Sequence, residues 1–457
     1  MRWAEATGLG TTGRARISTI DLQYPMNLWN LETARQWALN AEFSLALALE
    51  ELDFIRPKRY EQEGYPHEVW TQMRRESPVH WFDRSRGEDF WAITKHEDIV
   101  SISKRPDLFI SEPKIVVQTG PVSDFQDNFE KNLIQFDPPK HGPQRKLISK
   151  GFTPRTLRRW HADIERIARG VVNDLFEKGD EGECDFVEQI SAPLPIAVIG
   201  WLLGVPEPDW PKLFDWTNRI IGSQDPEYQD HDTPFETARA AQHELFEYFG
   251  HLVKARRSDP QDDLISLFAN AEVEGQKLTD LDALVWCNLI VSAGNETTRN
   301  ATSGGMLALI EHKDALRQLQ DDPSLLKSGV EEILRWTSPV VHFARTATQD
   351  VEIRGQKIAA GEIVALFYPS ANRDEDIFED PFEFRVDRNP NRHIAFGIGE
   401  HFCAGAHVAR LEIEYAMRFL LPRIEDVELA GPPDRLRSNF IGGFKRLPIR
   451  YKLRPEN

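Results

Sequence analysis

The sequence predicts a mainly α-helical fold with small β-sheets, and three observations carry that reading. Apolar residues recur at helical spacing along most of the chain, whereas strand-like runs are short and confined to residues 79–81, 90–93, 351–353 and 363–367. No tandem repeat and no low-complexity linker separates modules, which favours one cooperative unit, residues 48–457, behind an extension of residues 1–47. Across 457 residues, 40% hydrophobic and 28% charged side chains supply a large core and an ordinary globular surface.

The elements follow in chain order. Within and just beyond the extension, residues 31–52 place apolar groups at helical spacing, which suits an amphipathic helix packed on the body or on a partner, or a segment that merely covers a surface. Residues 193–206 form the longest apolar stretch; this is shorter than the roughly 20 residues a bilayer requires and reads as a buried core helix. Thr279-Asp280-Leu281-Asp282 is a capped start for a helix that continues to about His312. At 1.5 Å per residue such a helix is on the order of 50 Å long, enough to cross the molecule. A second helix, residues 326–336, is ended by Pro339 and places Glu332 and Arg335 on one face. A glycine-containing loop at residues 396–405 then leads into an amphipathic run over residues 406–420.

Charge and cysteine usage narrow the function. Lys and Arg number 55 against 73 Asp and Glu, a net charge of −18, and this field disfavours nucleic acid and anionic membranes as general partners. Cys184, Cys287 and Cys403 show no Cys-x-x-Cys spacing, so neither a disulfide framework nor a zinc ribbon is expected. The opening residues lack an apolar signal region, and a cytoplasmic location is expected, with no integral membrane segment. Cys184 and Cys287 have no motif around them and read as small core hydrophobes.

Cys403 stands in a different setting. In Phe396-Gly397-Ile398-Gly399-Glu400-His401-Phe402-Cys403-Ala404-Gly405 two glycines permit a tight loop, and the cysteine lies where the loop enters a helix. Amides at a helix start favour a thiolate there. These ten residues resemble the haem-binding loop of the cytochrome P-450 family, in which Phe-x-x-Gly-x-x-x-Cys-x-Gly surrounds an axial cysteine. The resemblance extends over residues 48–457 and implies that family's triangular single domain, one haem b, and Cys403 as the iron ligand. Phe396, Gly397, His401 and Gly405 would then contact the cofactor.

Further motifs match the same family. Ala293-Gly294-Asn295-Glu296-Thr297-Thr298, a polar interruption in the long helix, looks like its oxygen-activating segment. Ala293 and Gly294 would border the porphyrin, Thr297 would hold dioxygen or a water by hydrogen bond, and Glu296 would shuttle protons from solvent. Glu332 and Arg335, completed by Arg388, resemble a structural charged triad, although Glu383 stands where many relatives carry arginine. His141 and Arg145, one turn apart, together with Arg345 and His401, match positions that hold the haem propionates.

The implied reaction is monooxygenation of an apolar substrate such as a sterol, terpenoid or branched lipid. Electrons are expected from a ferredoxin and its reductase, since no Gly-x-Gly-x-x-Gly fingerprint is present. Lys146, Lys150, Arg158 and Arg159 are candidates for docking the ferredoxin. Substrate contacts are expected from Ile290, from Val340, Val341 and Phe343, and from Phe440 and Ile441. Two other readings remain open at this point: a peroxygenase, which would leave Glu296 and Thr297 with little to do, and a non-catalytic haem protein that carries electrons or senses a gas.

Overall fold

A computed structural model describes residues 54–83, 88–117, 130–151 and 154–454. The helix expected over residues 31–52 lies outside these. Helices dominate, as expected: α1 (His141–Gly151), α2 (Pro154–Phe176), α3 (Pro193–Leu203), α4 (Trp210–Ile221), α5 (Pro234–Ser258), α6 (Asp280–Glu311), α7 (Leu326–Thr337) and α8 (Ala406–Leu420) build the body around the site.

Helix α6 is the axis. Its start is a capping box: the Thr279 hydroxyl accepts from the Asp282 amide at 3.1 Å, and the Asp282 carboxylate accepts from the Thr279 amide at 2.8 Å. Helices α3, α4, α5, α7 and α8 pack on it. Its buried face runs almost unbroken from Asn295 to Ile310, which is why it lacks the polar stripe of a surface helix. Small residues allow the close crossings: a Cβ on Gly305 would lie 2.7 Å from Ile333 of α7, and one on Gly304 would lie 2.7 Å from Thr337. The apolar stretch expected to be a core helix is α3, with nine of its residues buried. Among the described residues no helix is long and apolar enough to cross a membrane.

The sheets are small. Strands β1 (Val79–Phe82), β2 (Phe90–Ile93), β3 (Phe109–Ile110), β4 (His342–Ala347) and β5 (Ile363–Phe367) form one sheet in the order β1-β2-β5-β4-β3. Only β2 and β5 pair in parallel. A second sheet places Pro448–Leu453 between Ile424–Leu429 and Glu181–Asp185. The sequence reading located β1, β2 and β5 and missed β4. That strand carries His342, Arg345 and Thr346 among its apolar residues, all buried, and so shows no simple alternation.

Candidate active site

The cysteine loop is shaped by backbone geometry. Gly397 and Gly399 adopt φ +70° and +81°, and a Cβ on Gly399 would lie 2.2 Å from the Ser103 carbonyl, so no other residue fits there. The Cys403 amide donates to the Phe396 carbonyl at 2.9 Å, folding the loop back on itself. Helix α8 begins three residues after Cys403. Enclosure by protein raises the Cys403 thiol, while the Gly405 and Ala406 amides and the Arg145 and Arg410 guanidinium groups oppose that rise. Arg410 also lies 4.5 Å over the Phe396 ring and is anchored by Glu331 at 2.6 Å.

Cys403 opens into a cavity of about 1410 Å³ whose far wall is α6, with Ile290, Ala293, Gly294, Glu296 and Thr297 among its lining. Val340 and Phe343 from the β4 segment and Phe440 and Ile441 from the C-terminal turn also border it, as the sequence suggested. Val341 does not. It is fully buried away from the cavity, in the cluster of Phe54, Trp70 and Phe367, just before the strand begins at His342.

Helix α6 adds neighbours that the sequence did not show. The space left by the missing side chain of Gly294 is taken by Ile199 of α3, 2.7 Å from where a Cβ would stand, so this glycine serves helix packing as well as bordering the cavity. Glu296 borders the cavity although it is only 1% exposed. Its Oε2 accepts from Arg299 at 2.5 Å and from Asn300 at 3.4 Å, and Arg299 also donates to Asn218 at 2.8 Å. Burial raises the Glu296 carboxyl and Arg299 opposes it, while Oε1 is buried without a hydrogen-bond partner. Arg299, three residues along the same helix, was missed although its spacing marks it as a partner. The Thr297 hydroxyl donates to the Ala293 carbonyl at 2.9 Å, the self-bonding expected of a threonine in a helix.

At one edge of the cavity His141, Arg145, Arg345 and His401 converge. The imidazoles of His141 and His401 are 4.3 Å apart, and His141 Nε2 is buried without a partner. Burial holds His401 down at about 3, with Arg345, His141 and Arg145 adding to the effect. Arg345 is 6% exposed and its guanidinium donates to the Ala344 carbonyl at 2.7 Å. Such a group of donors and cations calls for anions. An iron porphyrin meets each requirement: Cys403 as a sulfur ligand, apolar walls, and two propionates for this edge.

The triad is present as expected. Glu332 takes Arg335 through two bonds of 2.7 Å and Arg388 Nε at 3.2 Å to each oxygen, all three side chains being buried. The Glu383 carbonyl, rather than its side chain, accepts from both arginines, which is why a glutamate is tolerated there. Arg373 was missed: it lies buried, 3.9 Å over the Trp336 ring. Cys287 is fully buried, whereas Cys184 is half-buried on the strand Glu181–Asp185. Lys146 is exposed; the side chains of Lys150, Arg158 and Arg159 lie outside those described.

Fold and site together define a monooxygenase of the haem-thiolate class. The family model described as Cytochrome P450 matches residues 60–453. The methyl-branched lipid omega-hydroxylase of Mycobacterium tuberculosis is 38% identical over 84% of this chain and 90% of its own length. The steroid C26-monooxygenase of the same species is 35% identical over 87% and 92%. Among solved structures, CYP108D1 from Novosphingobium aromaticivorans superposes with a TM-score of 0.78 at 36% identity, covering 88% of this chain and 97% of that one. The chain belongs to the cytochrome P450 family.

Proposed function

We propose that this P450 binds haem b through Cys403 and hydroxylates a lipid or steroid substrate in the cytoplasm, using electrons from a ferredoxin and its reductase. The observation that carries the reading is that Cys403 and the Ala293–Thr297 stretch of α6 line one apolar-walled cavity. Bound haem supplies the dioxygen chemistry, in which one oxygen atom enters a C–H bond and the other leaves as water after two electrons and two protons are consumed.

The remaining work falls to the protein. Phe343, Phe440 and Ile441 exclude water and hold the apolar guest, Ile290 and Val340 adding surface to the same wall. The Thr297 hydroxyl turns from the Ala293 carbonyl to hold a water or dioxygen, and Glu296 feeds protons to it by leaving its contact with Arg299. Arg145, Arg345, His141 and His401 bind the propionates. Residues 1–47 form an extension to the catalytic unit of residues 48–457. The relatives' named substrates, methyl-branched lipids and steroids, support the substrate class.

The test is spectroscopic first. Haem-loaded protein, reduced under carbon monoxide, should show the absorption signature of a thiolate-ligated ferrous carbonyl, and Cys403→Ala should lose it; its retention in the variant sinks the assignment. A screen of sterols, branched fatty acids and terpenoids for a spin-state change, followed by product analysis with ferredoxin, reductase and NAD(P)H, then identifies the substrate.

A further inference from the structure

Behind the propionate edge stand two carboxylates that the reaction does not call for. Asp137 and Glu400 place carboxylate oxygens within 4.8 Å of each other and of a His401 ring nitrogen. Glu400 Oε1 is 3.6 Å from His401 Nε2, and its Oε2 is 3.9 Å from His141 Nδ1. Both histidines line the cavity, whereas Glu400 stands beside their rings outside the lining.

The two acids differ in how they are held. Asp137 is committed to the backbone, its oxygens accepting from the Ser111 and Glu112 amides at 2.7 and 2.9 Å. Glu400 Oε1 is buried and accepts no hydrogen bond, so the pair of imidazoles is its surrounding. Burial raises the Glu400 carboxyl above its ordinary value, Asp137 adds to the rise and Arg345 opposes it. Arg345 already feels the charges of both Asp137 and Glu400 before two propionates arrive, and Glu400 adds one negative charge to this edge.

We propose that Glu400 sets the charge of the cofactor edge, and that its carboxylate lowers the reduction potential of the iron. The physical basis is that negative charge near the iron favours its more positive, oxidised state. The inference rests on the haem-thiolate reading, and the experiment separates the two.

Wild type, E400Q and E400A are prepared as haem-loaded full-length chains. The thiolate ferrous-carbonyl signature is recorded first; its absence from wild type defeats the haem-thiolate reading and leaves no holoprotein in which the Glu400 proposal holds. With it present, spectroelectrochemical titration at one pH should place E400Q at a more positive potential than wild type. E400A, which removes the same charge, should shift the potential in the same direction. E400Q keeps the shape of the side chain, so a purely structural role leaves its potential unchanged; a wild-type potential in E400Q overturns the proposal.

Discussion

Cys403 and Thr297 were legible because each sits in a run of residues whose types and spacing together carry meaning. Their partners were less so. Glu296 was visible as an acid in the right motif, but its contact with Arg299 depends on a rotamer chosen inside a packed helix bundle, and Val341 differs from Val340 only in which way the chain faces. Thr297→Ala should leave the thiolate signature intact while hydroxylated product per NAD(P)H falls and hydrogen peroxide rises; unchanged coupling would remove Thr297 from proton delivery. A second residue-scale expectation concerns acid. Burial works against ionisation of Glu331, but hydrogen bonds from His393 and Arg410 outweigh it and hold the carboxyl at about 2, below its ordinary 4.5. A carboxyl depressed in the folded state contributes stability that is complete above pH 4.5 and is lost as pH falls toward 2. Thermal melting across that window should fall more steeply for wild type than for Glu331→Gln.

At the scale of elements, the long helix, the core helix α3 and helix α7 could be read from periodicity, caps and Pro339, since those signals are local. Packing between them could not. Gly294 borders the cavity, as its motif suggests, but its close contact with Ile199 was hidden. Gly294→Ala should therefore destabilise the fold by about 1–3 kcal/mol through overpacking. Ile199→Val, which removes the methyl group in closest conflict, should restore most of that loss; a double-mutant cycle of chemical unfolding with no coupling between the two sites would remove Ile199 as the reason for a glycine there. The Glu332 triad joins α7 to the segment around Arg388. Arg335→Ala leaves a buried carboxylate short of its main partner and should cost about 3–5 kcal/mol, read as loss of soluble, haem-loaded protein.

For the whole molecule, the fold class followed from helical periodicity with few strands, while the assembly of the sheets was hidden because their partners are far apart in sequence. The cavity of about 1410 Å³ opens through the middle of the described unit, so cofactor and fold are thermodynamically linked. A cofactor present at 1,000 times its dissociation constant stabilises the state that binds it by about 4 kcal/mol. Chain expressed without porphyrin should accordingly melt at a lower temperature and regain the difference when haem is added; equal melting temperatures would show that haem is not a structural ligand.

The strand Pro448–Leu453 occupies the middle of its sheet, with Cys184 opposite Ile449, a partner more than half the chain away. A nascent polypeptide emerging from the ribosome must therefore hold its earlier strand Glu181–Asp185 unpaired until almost all of it has been synthesised. The cysteine loop is translated before that closing strand, so porphyrin can be captured by a chain whose sheet is still open. Chaperone occupancy and haem supply during translation, more than the stability of the finished protein, then govern the yield of active enzyme.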